Sequence, residues 1–388
     1  MSLGTAILQR RERLAEVIAD LEERYWNNEP IEALVAALAH AYDSISADLW
    51  QQHFANNDGC ALFAVGGYGR AELHPGSDID ILVLTQKSNP HREAVEAFLR
   101  DLFDLNVEVG HSVRDVKTCV RECRSDITIA TALFERRFLC GDETLVAPLE
   151  KALAHPRVWP VEDFFVAKRD EQVARHRHYD HVDYKLEPNI KTSPGGLRDI
   201  QTTLWVCNRR YGTTNTDQLV TLGVLSTSEA RWLKDGRRFL WWVRYGLHSL
   251  AGRKEDQLHF ARQRELSRRL GFMDTESKSA VELFMQHYYR HVMALSDVND
   301  IVLQHFQEDI TAKKRPSLER LNDRFRLINR RIDITELDVF LRNPSAMLEM
   351  FFLMAQREEN LRVRVRTIRA LREAVHLIDD DFRCDPEN

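Results

Sequence analysis

The chain has 388 residues, of which 44% are hydrophobic and 29% charged, and its formal net charge is −6. This is the composition of an ordinary globular protein, and the length predicts two or three domains, since a single hydrophobic core rarely grows so large. The sequence contains no apolar run of about eighteen residues, which excludes a membrane-spanning helix, and its acidic balance argues against general nucleic-acid binding.

The N-terminal residues predict helices. Residues 1–10 lack the basic start and apolar core of a signal peptide, so we expect a cytoplasmic protein. Apolar residues recur with helical spacing over 5–25 and again over 30–50, where Pro30 suits a first helical turn. We therefore expect a helical arm over residues 1–55 that leads into a sheet.

A glycine pair follows the first predicted strand. Residues 60–65 form a short apolar run that ends at Gly66 and Gly67, and residues 79–84 form a second such run. Both runs predict buried strands, and we expect a short helix to begin over residues 68–73. The segment lacks the glycine patterns of Rossmann and P-loop proteins.

The second predicted strand begins with paired carboxylates. Because side chains alternate along a strand, Asp78 and Asp80 share one face while Ile79 and Ile81 anchor the other face in a core. Two close carboxylates repel each other unless a cation lies between them. Mg²⁺ is typically held by one or two carboxylates plus substrate phosphates, and glycines let the backbone approach a phosphate. The pattern indicates metal-assisted transfer to or from a phosphate.

A third strand is predicted over residues 105–109, which alternate in polarity. Val107 and Val109 would then face the core, leaving the carboxylate of Glu108 on the other face.

Two clusters of cysteine and histidine are better explained without a metal. Cys119 and Cys123 lie one helical turn apart, but no second pair at finger-like spacing accompanies them, so we expect buried reduced thiols. On a helix, His176 and His178 point in different directions, and with His181 they favour a solvated or phosphate-facing basic helix.

The loop over residues 188–196 contains two prolines and a glycine pair, which break any helix before Leu197 begins a new helical pattern. Lys191 in the loop and Arg198 at the helix start have the chemistry to grip a phosphate. The same segment is equally well explained as a structural connector.

The remaining residues predict mostly helices. These predictions comprise helices over about 115–140, a long aromatic-rich bundle core over 228–310, a small hairpin over 325–334, and further helices over 346–355 and 361–378.

The strand, glycine pair, short helix and Asp-x-Asp resemble the signature of the DNA polymerase β-type nucleotidyltransferase superfamily. Several blocks resemble one of its families, the bacterial PII-protein uridylyltransferases, and the resemblance covers nearly all of residues 55–388. The block over 187–201 is distinctive of that family. The blocks that carry the resemblance are 66–73 with 77–80, 187–201, 247–263, and 376–383.

The resemblance implies an α+β fold in which a small mixed β-sheet is flanked by helices, with an N-terminal helical arm and a C-terminal helical-bundle domain. The implied parts are the arm over 1–55, a nucleotidyltransferase domain over 56–150, a helical domain that closes over the nucleotide over 151–315, and a small hairpin plus helices over 316–388.

The resemblance also implies a reaction: UMP passes from UTP to a tyrosine hydroxyl of the PII signalling protein, with two Mg²⁺ ions or Mn²⁺ in their place, and without nucleic acid or membrane. Asp78 and Asp80 would be joined as catalytic metal ligands by a third carboxylate, Glu108, with Asp104 as the fallback. The residues implied to bind the nucleotide are Gly66, Gly67, Ser77, Lys191 and Arg198.

Full-length members of the family carry a phosphohydrolase region built on a His-Asp pair and two glutamine-sensing regions. No His-Asp dipeptide occurs here, so we expect a transferase portion only, without uridylyl removal or glutamine sensing. Two alternatives stay open: an adenylyltransferase acting on glutamine synthetase or another protein, and a non-catalytic module that binds nucleotide or PII. The intact carboxylates argue against the second.

Overall fold

A computed structural model describes residues 3–54, 59–86, 91–179, 185–312, 316–357 and 361–385. The chain divides into two compact units, Met1–Asn299 and Asp300–Asn388. Helices surround two small sheets, so the α+β fold class predicted from the sequence is confirmed. The finer four-part division stays a prediction.

The first unit begins with the helical arm. Helices α1 (Leu3–Trp26) and α2 (Ile31–His53) pack against each other, as their apolar spacing predicts. The ring of Tyr25 stacks on that of Tyr245 with 4.8 Å between centroids, and its hydroxyl donates a 2.7 Å hydrogen bond to the carbonyl of Trp242. These contacts anchor the arm on the helical part of the same unit.

A mixed four-stranded sheet follows the arm. Its strands lie in the order β3-β2-β1-β4, with β1 antiparallel to β2 and β4, and β2 parallel to β3. Every residue of β1 is buried. The strands are β1 (Cys60–Val65), β2 (Ile79–Thr85), β3 (Val109–Arg114) and β4 (Arg137–Gly141). The helices between them are α3 (Gly66–Gly69), α4 (Arg92–Phe103), α5 (Val116–Ser125) and α6 (Ile127–Phe134).

Three local predictions in this region are wrong. The third strand starts at Val109, because Asn106 adopts a left-handed φ of 60° that interrupts the extended run. The short helix starts at Gly66 and stops before Ala71, whose φ is 56°. The segment predicted to be helical up to residue 140 includes β4, a five-residue strand of which four residues pair with the buried strand β1.

The rest of the first unit is helical. Helix α9 starts at Leu197, as predicted, and Phe284 and Tyr288 are fully buried, as expected for a bundle core. The helices are α7 (Val146–Ala154), preceded by a 3₁₀ turn at Glu143–Leu145, α8 (Val161–Arg177), α9 (Leu197–Tyr211), α10 (Thr216–Thr221), α11 (Thr227–Ala251), α12 (Phe260–Arg269) and α13 (Ala280–Ile310), which continues into the second unit.

The second unit contains its own four-stranded sheet and an apolar core. The predicted hairpin is confirmed as β6 and β7, and its turn residues Asn329 and Arg330 have φ values of 50° and 62°, as hairpin turns with two left-handed residues require. The elements are β5 (Leu318–Arg320), β6 (Phe325–Ile328), β7 (Arg331–Ile334), α14 (Val339–Arg342), α15 (Ala346–Ala355), β8 (Arg362–Val363), α16 (Val365–Ala374), a 3₁₀ turn at Val375–Leu377, and α17 (Asp380–Cys384).

Candidate active site

The glycine pair lies where β1 turns into α3. Val65 at the end of β1 pairs with Asp80 of β2, so the turn lies beside a carboxylate. Gly66 has a φ of 58°, a conformation that glycine adopts without strain, and a Cβ at that position would lie 3.4 Å from Oδ2 of Asp80. A Cβ on Gly67 would meet atoms only at 3.7 Å or more. The backbone at Gly67 is therefore open to a ligand.

The paired carboxylates lie together at the start of β2, and their electrostatic environments differ. Burial raises the pKa of Asp80, and the neighbouring charge of Asp78 raises it further. Burial also acts on Asp78, but the hydrogen bond and charge of Lys254 outweigh it, so the pKa of Asp78 falls below its usual value. Close carboxylates whose pKa values are pushed apart are typical of functional sites.

Lys254 supplies a cation that the sequence interpretation missed. Its Nζ lies 3.1 Å from Oδ2 of Asp78, and it belongs to the loop after α11. The signal that points to it is its place inside the block over 247–263 that resembles the uridylyltransferases.

Gly110 was also missed, although it controls the space around Asp80. It pairs with Asp80 across β2 and β3, and a Cβ there would lie 2.1 Å from the carboxylate Oδ1. Only glycine leaves that carboxylate in its place. The available signal was a glycine inside a strand, which often marks close approach of another group.

Glu108 lies just before β3, and its side chain is exposed. The Glu108 carbonyl accepts a 2.9 Å hydrogen bond from the N–H of Ile79. This bond brings Glu108 alongside Asp78, the residue before Ile79. The charge of Glu108 contributes to the raised pKa of Asp80. Within the described ranges, no three acidic, histidine or cysteine side chains are arranged to hold a metal ion, so the role of Glu108 as the third ligand stays a prediction.

One cavity of about 260 Å³ brings most of the predicted residues together. We call it the first cavity. Its lining includes every predicted site residue except Glu108: Gly66, Gly67, Ser77, Asp78, Asp80, Lys191 and Arg198.

The two predicted cations in the first cavity form no direct ion pair with a carboxylate of the described residues. Burial and the charges of Arg244 and Arg198 lower the pKa of Lys191 to about 8. Burial, followed by the charge of Arg70, lowers the pKa of Arg198, whose guanidinium carbon lies 5.3 Å from the centroid of the Trp205 ring. Among the residues that the structure describes, no acid lies within ion-pair distance of Lys191 or Arg198. An anionic ligand would supply the missing negative charge.

A buried aspartate holds the loop that carries Lys191. Asp199 is fully buried and accepts hydrogen bonds from the N–H of Gly195 at 2.7 Å and from Arg175 at 2.6 Å. Nε2 of His176 lies 3.0 Å from the same carboxylate, so this histidine supports the loop rather than facing a phosphate. His181 lies outside the described residues.

The loop that carries Ser77 is fixed to α11. The N–H of Gly76 donates a 3.1 Å hydrogen bond to Nδ1 of His248, and the Ser77 hydroxyl accepts from the N–H of His74 at 3.0 Å. Arg244 donates to Asp256 at 2.6 Å. Although burial raises the pKa of Asp256, its bonds to His248 and Arg244 hold that pKa well below the usual value.

The cysteine pair has no link to the first cavity. Cys119 and Cys123 are buried on α5 as free thiols, as predicted. Burial raises the pKa of Cys119 to about 12 and that of Cys123 to about 11, which makes both thiols unreactive.

A second cavity, of about 320 Å³, adjoins the first along α9. The two share six lining residues: Arg70, Glu72, Glu135, Leu197, Gln201 and Trp205.

Comparison with known families covers most of the chain. Family models match in three segments: "Nucleotidyltransferase domain" over residues 51–138, "GlnD PII-uridylyltransferase" over 163–303, and "Uridylyltransferase GlnD third domain" over 325–388. A protein of Pseudomonas aeruginosa strain LESB58, described as "Bifunctional uridylyltransferase/uridylyl-removing enzyme", is 46% identical over 372 residues. The same description applies to a Pseudomonas putida strain GB-1 protein that is 48% identical over 372 residues.

This chain belongs to the uridylyltransferase family. Each of the two alignments covers 95% of the chain and 41% of the relative, so the chain spans about two fifths of the length of these curated relatives. The nucleotidyltransferase match contains the glycine turn and both aspartates, and the next match contains Lys191, Arg198 and Lys254. No helix in the described ranges is long and apolar enough to span a membrane.

Proposed function

We propose that this chain transfers UMP from UTP to a tyrosine hydroxyl of a PII signalling protein and releases pyrophosphate. The observation that carries the proposal is the first cavity, where two carboxylates, an open glycine turn and two unneutralised cations meet in a chain of the uridylyltransferase family. The cations and the glycine turn serve one part of the reaction, and the carboxylates serve another.

The cations and the glycine turn suit the triphosphate of the donor. Lys191 and Arg198 are partly buried and form no direct ion pair with an acid among the described residues, which costs free energy unless a ligand brings negative charge. The open backbone at Gly67 and the hydroxyl of Ser77 would orient the β- and γ-phosphates. As pyrophosphate leaves, Lys191 and Arg198 would stabilise the charge that develops on it.

The carboxylates suit divalent cations. Asp78 and Asp80 offer hard oxygen ligands on one strand face, and the raised pKa of Asp80 reflects its burial and then the repulsion from Asp78, which a cation would relieve. We propose that they hold two Mg²⁺ ions, or Mn²⁺, with Glu108 nearest the acceptor. Bound there, the metal would polarise the α-phosphate and lower the pKa of the attacking tyrosine hydroxyl.

The proposal is tested by intact-mass spectrometry of a PII protein after incubation with this chain, Mg²⁺ and each of the four nucleoside triphosphates. We expect a gain of one UMP per PII subunit with UTP alone. Transfer of AMP from ATP to another acceptor would favour an adenylyltransferase, and nucleotide binding without any transfer would favour a non-catalytic module. Either result would overturn the proposal.

A further inference from the structure

Gln201 presents an unpaired amide oxygen where the two cavities meet. Its Oε1 atom is buried, and no described residue donates a hydrogen bond to it. A buried acceptor without a partner carries a desolvation cost that a ligand donor would remove. Gln201 lines both cavities, so a ligand bound in either one has access to it.

The second cavity has a mixed polar and apolar lining that includes aromatic rings. One face of α9 lines it, and the rings of Phe134, Trp205 and Trp241 add aromatic surface. Asn208, seven residues after Gln201 on the same helix, brings a second amide to the lining. Aromatic surface with a few amide groups suits a planar heterocycle that packs against the rings and is recognised at its edge.

Several charged groups in the second cavity form ion pairs or hydrogen bonds within the protein. Arg70 donates to Glu72 at 2.7 Å and to Glu135 at 2.5 Å. Arg136 donates to a backbone carbonyl at 2.9 Å, and Arg237 lies 4.9 Å above the Trp241 ring. The first cavity, by contrast, contains Lys191 and Arg198, which form no direct ion pair with an acid of the described residues. A ligand with a triphosphate and a flat ring would place the triphosphate in the first cavity and the ring in the second.

We propose that the second cavity holds the nucleobase of the donor, and that Gln201 selects uracil by accepting a hydrogen bond from its ring N3–H. This inference rests on the proposed function. Uracil carries a ring N–H between two carbonyls, whereas cytosine and adenine carry a bare ring nitrogen beside their amino group, which would face Oε1 as a second acceptor. A site built around one hydrogen bond rejects a base that leaves it unpaired.

The test compares Gln201→Leu with a matched change on the surface, Gln218→Leu, where the side chain is exposed. Binding of UTP, CTP and inorganic tripolyphosphate is followed by quenching of tryptophan fluorescence. In Gln201→Leu we expect UTP to bind about tenfold more weakly, the loss of about 1.4 kcal/mol of hydrogen bonding, so that its advantage over CTP disappears. Tripolyphosphate should bind as before, and Gln218→Leu should behave like the unaltered protein.

Three results would overturn the inference. Equal weakening of tripolyphosphate would assign Gln201 to the phosphates, an unchanged preference for UTP over CTP would place the base elsewhere, and a higher KM for PII with unchanged UTP binding would assign the cavity to the acceptor. A lower melting temperature in Gln201→Leu would indicate a structural role instead, because replacing an unpaired buried acceptor by an apolar group should not destabilise the fold. If the unaltered chain fails to transfer UMP, the proposed function itself fails, whereas selective transfer that survives in Gln201→Leu removes only this inference.

Discussion

The acidic and basic sides of the first cavity are built in different ways. Asp78 and Asp80 are held at the start of a buried strand, where alternation and sheet pairing fix them. Lys191 and Arg198 come from an irregular loop and the start of α9, held by the buried Asp199. The difference suggests a division of labour. Changes on the acidic side should lower turnover, and changes on the basic side should weaken nucleotide binding.

The largest effect is expected for Asp80→Asn. Removing this charge should lower kcat for UMP transfer by at least about a hundredfold, the scale of electrostatic catalytic groups, in a steady-state assay of PII labelling. Binding of UTP in EDTA should stay the same or tighten, because a negative charge beside the triphosphate is lost. Asp163→Asn, at an exposed position on α8, is the control and should remain active. An active Asp80→Asn protein would contradict the assignment of Asp80 to the reaction.

Gly110→Ala tests the acidic side without changing its charge. The new methyl group would occupy the place of the Asp80 carboxylate, which lies at the end of a side chain and can move aside while the sheet persists. We expect kcat to fall by about tenfold to a hundredfold, because small misplacements of reacting groups lower rates on this scale. The melting temperature should not change. Ser112→Ala in the same strand is the matched control. Equal activity of the two variants would show that the position of Asp80 is not critical.

The acidic side was largely predictable from the sequence. The ends of β1 and β2 were predicted to within one residue. Alternation correctly placed Asp78 and Asp80 on one face, because the period of two is a local property of strands. The third strand was misplaced because Asn106 in a left-handed conformation interrupts it. The strand β4 was missed, since its five residues owe their extended form to pairing with β1 rather than to a strong local pattern.

The basic side was predicted only in part. The sequence predicts Lys191 and Arg198 as phosphate-binding candidates, but a structural connector explains the same segment equally well. The structure shows that the loop is also tied down, through Asp199. Lys254 reaches Asp78 from 176 positions along the chain, and a contact of that kind depends on tertiary packing that no local spacing encodes.

Lys191 allows a test of the basic side by pH. The pKa of this buried lysine is about 8 in the free protein, and a bound triphosphate favours its charged form. UTP affinity should therefore be greatest below pH 8 and fall by up to about tenfold towards pH 9, as the charge is lost. Calorimetric titrations of UTP across pH 7–9 measure this dependence.

Variants at Lys191 make the pH test specific. Lys191→Met should bind UTP about tenfold more weakly at pH 7, the value of one charge-assisted hydrogen bond, and should lose the pH trend. Lys191→Arg should retain the affinity and also lose the trend, because arginine stays charged. Lys151→Met, at an exposed position on α7, is the control. A pH trend that persists in Lys191→Arg would assign it to another group.

The smallest effect is expected for Gly67→Ala. This variant tests whether the glycine turn, like Lys191 and Arg198, contributes to binding of the triphosphate. The nearest atoms to the new methyl group would be Nη2 of Arg70 at 3.7 Å and the carbonyl oxygen of Glu72 at 3.8 Å, both ordinary contacts, so the fold should not change. The methyl group would instead stand in the open space of the first cavity, and we expect UTP to bind about threefold to tenfold more weakly as backbone and phosphate are held apart. If UTP binding stays the same while Lys191→Met weakens it, the triphosphate is held by the cations alone, and the glycine turn serves only to bring β1 past Asp80.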